Sequence, residues 1–330
     1  MIAVWLAAMA CVGAMGFAIQ RGGTCTVAAV AEMIDDRRSH RLRAMLEASL
    51  WVAGGLALAH LGHLAGSMPS GYAASAWTVI GGVLLGVGAW VNGACVFGSV
   101  ARLGSGEWTY AATPMGFFVG CLSVMVLFPR PPALAIEQPS LLFELPGFFA
   151  VAFLLFALWR IGFGILALRR PGDRVRLGEA IWAPHVATVV IGVTFVLTLL
   201  LAGRWAYTDV LADLAHAMHG MRNPLALPIL LLLALYAGAL IGGRSADRWR
   251  STSISISQVL RCVAGGVLMG WGSLLVPGSN DGLILIGIPL LRPYAWLAFA
   301  SMFCAIGAAL SLQRAWSTRA GAIPAPPQQR

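Results

Sequence analysis

Apolar residues occur along this chain in nine runs, each long enough to cross the roughly 30 Å hydrocarbon core of a bilayer as a helix rising about 1.5 Å per residue. Short segments rich in glycine, proline and arginine separate the runs. The predicted spans are 2–19, 45–66, 74–91, 113–128, 145–168, 181–202, 225–242, 258–275 and 293–312. The pattern predicts an all-α polytopic membrane protein with about nine transmembrane helices.

Four of the connections contain further apolar residues, too few to span a bilayer, directly after a break in the chain. The breaks fall at Gly22-Gly23, at Asn92-Gly93, near Tyr207 and at Pro277-Gly278. Thr24 is the expected N-cap of the first short helix, and Thr208 or Asp209 that of the third. Irregular backbone at membrane depth is tolerated only where protein or a water-filled cavity covers it, so four breaks predict re-entrant helices lining a pathway.

Positive charge gives the orientation. All 22 basic residues are arginine, and cytoplasmic loops of membrane proteins collect such residues. An external N-terminus places 17 arginines inside and four outside, with Arg160 within a span. We therefore predict that the N-terminus lies outside and the C-terminus inside. The charge then reflects topology, with the lipid bilayer as the surroundings and no nucleic acid as a partner.

The number and directions of the spans predict an internal repeat. Spans one to four and spans six to nine run in opposite directions, and span five, over 145–168, joins them. This arrangement is typical of transporters with inverted repeats and a substrate site near the midplane. We predict one transporter domain over 1–317, with halves at about 1–128 and 181–312. The Pro- and Gln-rich tail at 318–330 is predicted to be disordered.

Composition restricts the function. With 59% hydrophobic and 11% charged residues, the chain is not an ordinary soluble globule. It contains no nucleophile triad, phosphate-binding loop or HExxH motif, which gives no support to an enzyme or an ATP-driven pump. The pairs His60/His63 and His216/His219 have helical spacing but lack a third ligand, so no metal and no cofactor are predicted.

Two cysteines are the strongest candidates for chemistry. Cys25 and Cys95 each follow a glycine break at a predicted helix start, where backbone N–H groups remain unpaired. A thiol donor, free N–H groups and the positive end of a helix dipole together favour an anion. The other four cysteines lie inside continuous apolar runs and are expected to pack as small apolar residues: Cys11, Cys121, Cys262 and Cys304.

Several neighbouring residues complete the predicted anion site, and each has a plainer alternative. Gly23, Thr24 and Gly93 belong to the two breaks beside the cysteines. The amides of Asn92 and Asn280 either donate to an anion or form turns. Four charged residues also have two interpretations each. Arg21 and Arg102 hold anions or mark topology, Arg160 is functional or snorkels, and Asp281 binds a coupling cation or caps a helix.

The segments GFAIQRGGTCTV (16–27) and NGACVFGSVARLGSGEW (92–108) resemble those of the YeeE/YedE family of bacterial inner-membrane sulfur transporters. The resemblance implies import of thiosulfate, a small inorganic sulfur anion, through inverted halves. It also implies that Cys25 and Cys95 relay the anion, and that a cytoplasmic TusA-like sulfurtransferase receives the sulfur.

One departure from that family concerns the C-terminal half. The family's thiosulfate importers have a further pathway cysteine there, whereas this chain has Ser279 or Asn280 in its place. The departure leaves another sulfur species or a selenium compound open as the substrate. Two other interpretations remain at this point: a membrane-bound thiol or persulfide sulfur-transfer enzyme, and a scaffold that recruits partners through its basic loops.

Overall fold

The computed structural model describes residues 2–64, 66, 68–127, 133–136, 139–144, 147–169, 182–218, 225–246, 249 and 251–319. The basic loop at 170–181 lies outside the described residues. So does the stretch 320–330, which makes up most of the tail that the sequence predicts to be disordered.

The described part of the chain is almost entirely helical. The helices are α1 Ile2–Gly22, α2 Thr26–Asp35, α3 His40–Leu61, α4 Ala76–Asn92, α5 Val96–Gly104, α6 Ala112–Leu127, α7 Leu141–Glu144, α8 Phe148–Arg169, α9 Pro184–Ala202, α10 Tyr207–Met218, α11 Ala226–Ser245, α12 Ile256–Leu275, α13 Asn280–Gly282 and α14 Pro293–Arg319. A 3₁₀ turn at Trp108–Ala111 precedes α6, and a π-helical turn at Leu283–Gly287 continues α13. Two short antiparallel strands, β1 Gly71–Tyr72 and β2 Ala135–Ile136, pair with each other.

Each of the nine predicted spans coincides with one long helix. Among the described residues, eight helical stretches are long and apolar enough to cross a membrane. The remaining predicted span, 145–168, corresponds to α8, a 22-residue helix. The predicted all-α membrane architecture is therefore confirmed.

The four breaks are also followed by short helices, α2, α5, α10 and α13. Two of the breaks depend on glycine, because Gly23 and Gly93 have φ angles of +55° and +78°, which side chains on L-residues rarely allow. The expected caps were wrong. Helix α2 begins one residue later than predicted and has Cys25 as its N-cap residue, while α10 begins at Tyr207.

The helices of the first half pack against those of the second. Helix α1 lies between α9 and α11, and α4 lies between α12 and α14. In the reverse sense, α9 packs against α1 and α3, and α12 against α4 and α6. Exchanging α1 with α9, α3 with α11, α4 with α12 and α6 with α14 therefore reproduces the main contacts.

Small residues let these helices approach closely. A Cβ atom built on Gly265 of α12 would lie 2.6 Å from the carbonyl oxygen of Gly88 on α4, and one built on Gly88 would lie 2.7 Å from that of Gly265. Helices in membranes associate through such contacts, because lipid gives them no hydrophobic drive to pack. The close α4–α12 contact fixes the ends of both helices, where two of the breaks occur.

Arg160 is paired with acid. Its Nε lies 3.2 Å from Glu47 Oε1, and His185 Nδ1 contacts the other oxygen of the same carboxylate. The three residues join α8, α3 and α9. A charge within an apolar helix is costly unless paired, so this cluster accounts for Arg160 without a substrate.

Candidate functional site

The first turns of the four short helices meet at one place, here called the waist. The backbone N–H of Thr26, at the start of α2, donates to Cys95 Sγ at 3.2 Å, and Cys95 is the N-cap residue of α5. The Thr26 hydroxyl donates to Asn280 Oδ1 on α13 at 3.1 Å. Thr26 and Cys95 are buried, as is Asn280. The waist therefore joins α2, α5 and α13 through side chains.

Helix α10 enters the waist through a second set of bonds. Thr208 donates from its backbone N–H to Asp281 Oδ2 at 3.2 Å and from its hydroxyl to Asp281 Oδ1 at 2.5 Å. The hydroxyl of Tyr207 donates to the carbonyl oxygen of Val96 on α5 at 3.2 Å. The N-terminal ends of all four short helices are thus linked by hydrogen bonds. These ends carry the positive partial charge of each helix, which favours an anion.

Two polar groups in the waist have no partner. Ser279 Oγ and Asn280 Nδ2 make no hydrogen bond to the protein, and both residues are buried, at most 2% exposed. An unpaired buried polar group costs free energy, so folded proteins contain few of them and each one needs an explanation. Both atoms can donate a hydrogen bond. Asn280 is linked to Cys95 through Thr26, which donates its hydroxyl to Asn280 Oδ1 and its backbone N–H to Cys95 Sγ.

Cys25 and Cys95 lie side by side, within hydrogen-bonding reach of each other. Cys95 is 1% exposed, whereas Cys25 is partly accessible. Gly98, one turn into α5, makes room for the Cys25 thiol, because a Cβ atom built there would lie 2.5 Å from Cys25 Sγ. The structure therefore brings together the two cysteines that the sequence singled out.

Substituting alanine for Gly98 tests this arrangement. Because the added methyl group would overlap Cys25 Sγ, the thiol must turn away from Cys95, and we expect anion uptake to fall about tenfold. The measurement is initial uptake rate in proteoliposomes, normalised to the amount of folded protein. Gly147→Ala is the matched control, since nothing lies within 4 Å of its Cβ position. Equal rates for Gly98→Ala and wild type would contradict the assigned role of Gly98.

Other predicted site residues lie beside the waist but shape its backbone. Asn92 uses its amide on protein atoms: Nδ2 donates to the carbonyl oxygen of Ala94 and to Ser99 Oγ, and Oδ1 accepts from Thr113. This favours the turn-forming role of the two that the sequence left open.

The three remaining predicted residues of the first two breaks are in the connecting backbone. Gly23 and Gly93 occupy the left-handed turns that end α1 and α4. The carbonyl oxygen of Gly23 also accepts from Arg41 at 3.2 Å. Thr24 donates its N–H to the carbonyl oxygen of Ile19 at 3.3 Å, so it closes the end of α1. A contact of these residues with an anion stays a prediction.

A cavity of about 160 Å³ opens on one side of the waist. It reaches Gly278 and Gly282, which flank the Ser279–Asp281 segment. Its charged and titratable lining residues are Arg204, Asp209, Asp213, His216, Tyr72 and Tyr294. Cavities of about 150 Å³ hold a benzene-sized molecule, so a small anion fits here. The arginine distribution predicts that this side faces outside.

A polar cluster lies on the opposite side, next to Cys25. The side-chain amide of Gln258 donates to Tyr110 Oη at 3.4 Å and contacts Cys262 Sγ at 3.6 Å. The Arg102 guanidinium stacks over the Tyr110 ring at 5.1 Å, and its Nη1 pairs with Glu107 at 3.1 Å. Arg102 is therefore held by protein partners near the predicted inner mouth.

Sequence reasoning missed Thr26 altogether and gave Thr208 and Asp281 other roles than the ones they have in the waist. Thr26 and Thr208 each take the first turn of a short helix and bond to α13, while Asp281 joins α13 to α10. The shared pattern of a threonine following the first and third breaks, at Thr26 and Thr208, was visible in the sequence. Its partners were not, because they lie more than 70 residues away.

Metal binding has no support among the described residues, where no group of three or more His, Cys, Asp and Glu side chains is close enough to hold an ion. His60 instead stacks on Phe143, with ring centroids 4.4 Å apart. His216 Nδ1 contacts the carbonyl oxygen of Ala212, and His219 lies outside the described residues.

The fold and site define a polytopic membrane permease: long helices surround a waist of helix N-termini, thiols and amides, with a cavity on one side. Residues 21–310 match the profile of the sulphur transport family, and the chain belongs to that family. It is also 26% identical, over 341 residues, to the thiosulfate transporter TsuA of Escherichia coli (strain K12), across 93% of this chain and 94% of that protein. The predicted family membership and the predicted role in sulfur transport are confirmed.

Proposed function

We propose that this permease imports thiosulfate across the bacterial inner membrane, with its N-terminus outside and its C-terminus inside. The observation that carries the proposal is the waist itself, where two thiols and two unpartnered polar atoms meet at helix N-termini. The similarity to a thiosulfate transporter supports the same substrate. Substrate contacts are proposed for Cys25, Cys95, Ser279 and Asn280, with Gly23, Thr24, Asn92 and Gly93 holding the backbone around them.

Neutral donors suit transport of a dianion. Thiosulfate cannot leave water for hydrocarbon unless other groups replace its hydration shell. Thiols, a hydroxyl, an amide and helix N-termini can do so without the tight pairing that a buried arginine would impose, and weak successive sites let an ion leave. The waist presents such donors, and the described ion pairs lie elsewhere.

The two halves supply the mechanism of access. We propose that the halves at about 1–128 and 181–312 form an inverted repeat and move against each other around the waist. The bond between Thr26 and Asn280 joins one half to the other, and the bonds between Thr208 and Asp281 join α10 to α13 within the second half. With all of these bonds formed, the waist is closed. Breaking them opens the path between the cavity and Cys25.

The inner side would deliver the anion to a cytoplasmic acceptor. We propose a TusA-like sulfurtransferase as that partner, because a carrier that removes sulfur at the inner mouth would keep uptake running inward. Arg41, which bonds to the backbone beside Thr24, and the charged cluster around Arg102 lie on this side. Pull-down of such a carrier by the purified permease tests this part of the proposal separately.

The experiment that tests the main proposal is uptake of ³⁵S-thiosulfate by proteoliposomes containing the purified protein. We expect accumulation above that of empty liposomes, competition by unlabelled thiosulfate and little competition by chloride. Competition by selenium oxyanions and by sulfite then measures how far the replacement of a pathway cysteine by Ser279 or Asn280 has widened the substrate range. Uptake equal to that of empty liposomes would overturn the proposal.

A further inference from the structure

Asp281 is a buried carboxyl group in the middle of an anion pathway. It is 2% exposed and lies directly after Ser279 and Asn280, whose unpartnered atoms are proposed to hold the anion. The four ion pairs in the described part of the chain do not include it. Its oxygens accept two hydrogen bonds from Thr208 and lie within hydrogen-bonding reach of the backbone N–H groups of Asp281 and Gly282. A negative side chain beside an anion site needs an explanation.

The space around Asp281 does little to stabilise its ionised carboxylate. It borders a void of only about 10 Å³, whose apolar lining includes Met15, Ile19, Phe97 and Phe195. A space of this size holds at most about one water molecule. Burying an ionised carboxyl group without a cation is so costly that such groups take up a proton instead. The hydrogen bonds from Thr208 and from the backbone N–H groups of Asp281 and Gly282 only partly offset this cost.

The charged and titratable neighbours do not supply a cation either. The titratable groups that face Asp281 are Tyr207, Asp209 and Tyr236, and Cys95 lies behind Tyr207. Arg204 interacts with Asp209. Helix α1 contributes only apolar side chains to this surface, and α3 contributes the Ser49 hydroxyl, which donates to the carbonyl oxygen of Ile284. Apart from Arg204, which acts on Asp209, all of these neighbours are neutral or negative.

We propose that Asp281 is the proton site of the permease and that the protein carries a proton inward together with each anion. This inference rests on the proposed function. An anion arriving at Asn280 repels the ionised carboxylate and favours its protonated form. By linkage, the protonated form binds the anion more tightly. The proton binds to a carboxylate oxygen of Asp281 on the cavity side and leaves from the same oxygen on the inner side, so charge and atoms balance without any further reactant.

The cavity provides the route for the proton. It is lined by Asp209, Asp213 and His216, three groups that exchange protons with water, and it ends at Gly282, next to Asp281. On the closed side, Thr208 ties the same carboxyl group to α10. Protonation changes one oxygen of Asp281 from acceptor to donor, so it weakens one of the bonds that close the waist. Proton binding, anion binding and opening are thereby coupled at one side chain.

The test uses proteoliposomes loaded with a pH-sensitive dye and a separate measurement of ³⁵S-thiosulfate uptake. For the wild type we expect thiosulfate addition to acidify the interior, and uptake to rise as external pH falls, by up to about tenfold per pH unit. Asp281→Asn imitates the protonated group, so this variant should take up thiosulfate down its gradient without acidification and without pH dependence. Asp36→Asn, at an exposed carboxylate that ends α2, is the control and should retain acidification.

A second variant keeps the proton site testable if Asp281→Asn misfolds. Thr208→Val removes the hydroxyl donor that stabilises the ionised carboxylate, so the midpoint of the pH dependence should move to higher pH. Wild-type uptake without acidification, acidification by Asp281→Asn, or an unmoved midpoint in Thr208→Val would each overturn the proton site. Absence of any wild-type uptake would instead overturn the proposed function.

Discussion

Replacing Asn280 by aspartate is expected to reduce thiosulfate uptake at neutral pH by at least about 100-fold. The two side chains have nearly the same shape, and the carboxylate can still accept the bond that the Thr26 hydroxyl gives to Asn280 Oδ1. Only the unpartnered Nδ2 donor is lost, and a negative charge takes its place. Like charges brought together in a buried site cost several kcal/mol, and each 1.4 kcal/mol is about a factor of ten.

Two comparisons separate this effect from damage to the fold. Asn280→Ala loses both the acceptor for Thr26 and the amide donor but adds no charge. If Asn280 acts on the anion, the alanine variant should keep more activity than the aspartate variant. Lower pH should partly restore uptake by Asn280→Asp, because protonation removes the added charge. An alanine variant less active than the aspartate variant would show that Asn280 serves only to hold Thr26.

The positions of the long helices and of the breaks were predictable from the sequence. A run of about 20 apolar residues has few alternatives to a spanning helix, since every backbone polar group must be satisfied inside the bilayer. Gly23 and Gly93 mark breaks because their backbone angles exclude most other residues. Cys25 and Cys95 were singled out because each follows a glycine break, and the structure places the two thiols side by side.

The contacts across the waist were not predictable. Thr26 and Asn280 are 254 positions apart, and Thr208 and Asp281 are 73 apart. Which side chains meet depends on how deeply each long helix sits against its neighbours, and shifting one by a single residue would exchange the partners. The cap of α2 was misassigned for a related reason. Thr24 is the better capping residue, but the turn after Gly23 continues through it, and Cys25 takes the N-cap position.

Replacing Cys95 by alanine is expected to lower uptake by about tenfold to 100-fold. Hydrogen bonds to charged groups contribute about 1.5–3 kcal/mol, and Cys95 supplies the buried thiol of the waist. The substitution removes little volume, because the Cβ atom remains. The thiol is also the acceptor for the Thr26 N–H at 3.2 Å, so its loss leaves one more unpaired donor beside the anion. Uptake rate at saturating and at low thiosulfate concentrations is the measurement.

Two controls decide what the Cys95 thiol contributes. Cys304→Ala removes an exposed thiol on α14 and should transport like the wild type. Cys95→Ser keeps a donor and an acceptor at the same place, and a hydrogen-bonding relay should therefore survive in part. A sulfur-transfer enzyme that forms a persulfide on Cys95 would lose all activity in the serine variant, because oxygen cannot replace a nucleophilic sulfur there. Partial uptake by Cys95→Ser, together with wild-type uptake by Cys304→Ala, therefore identifies a permease whose thiols bind the anion and do not react with it.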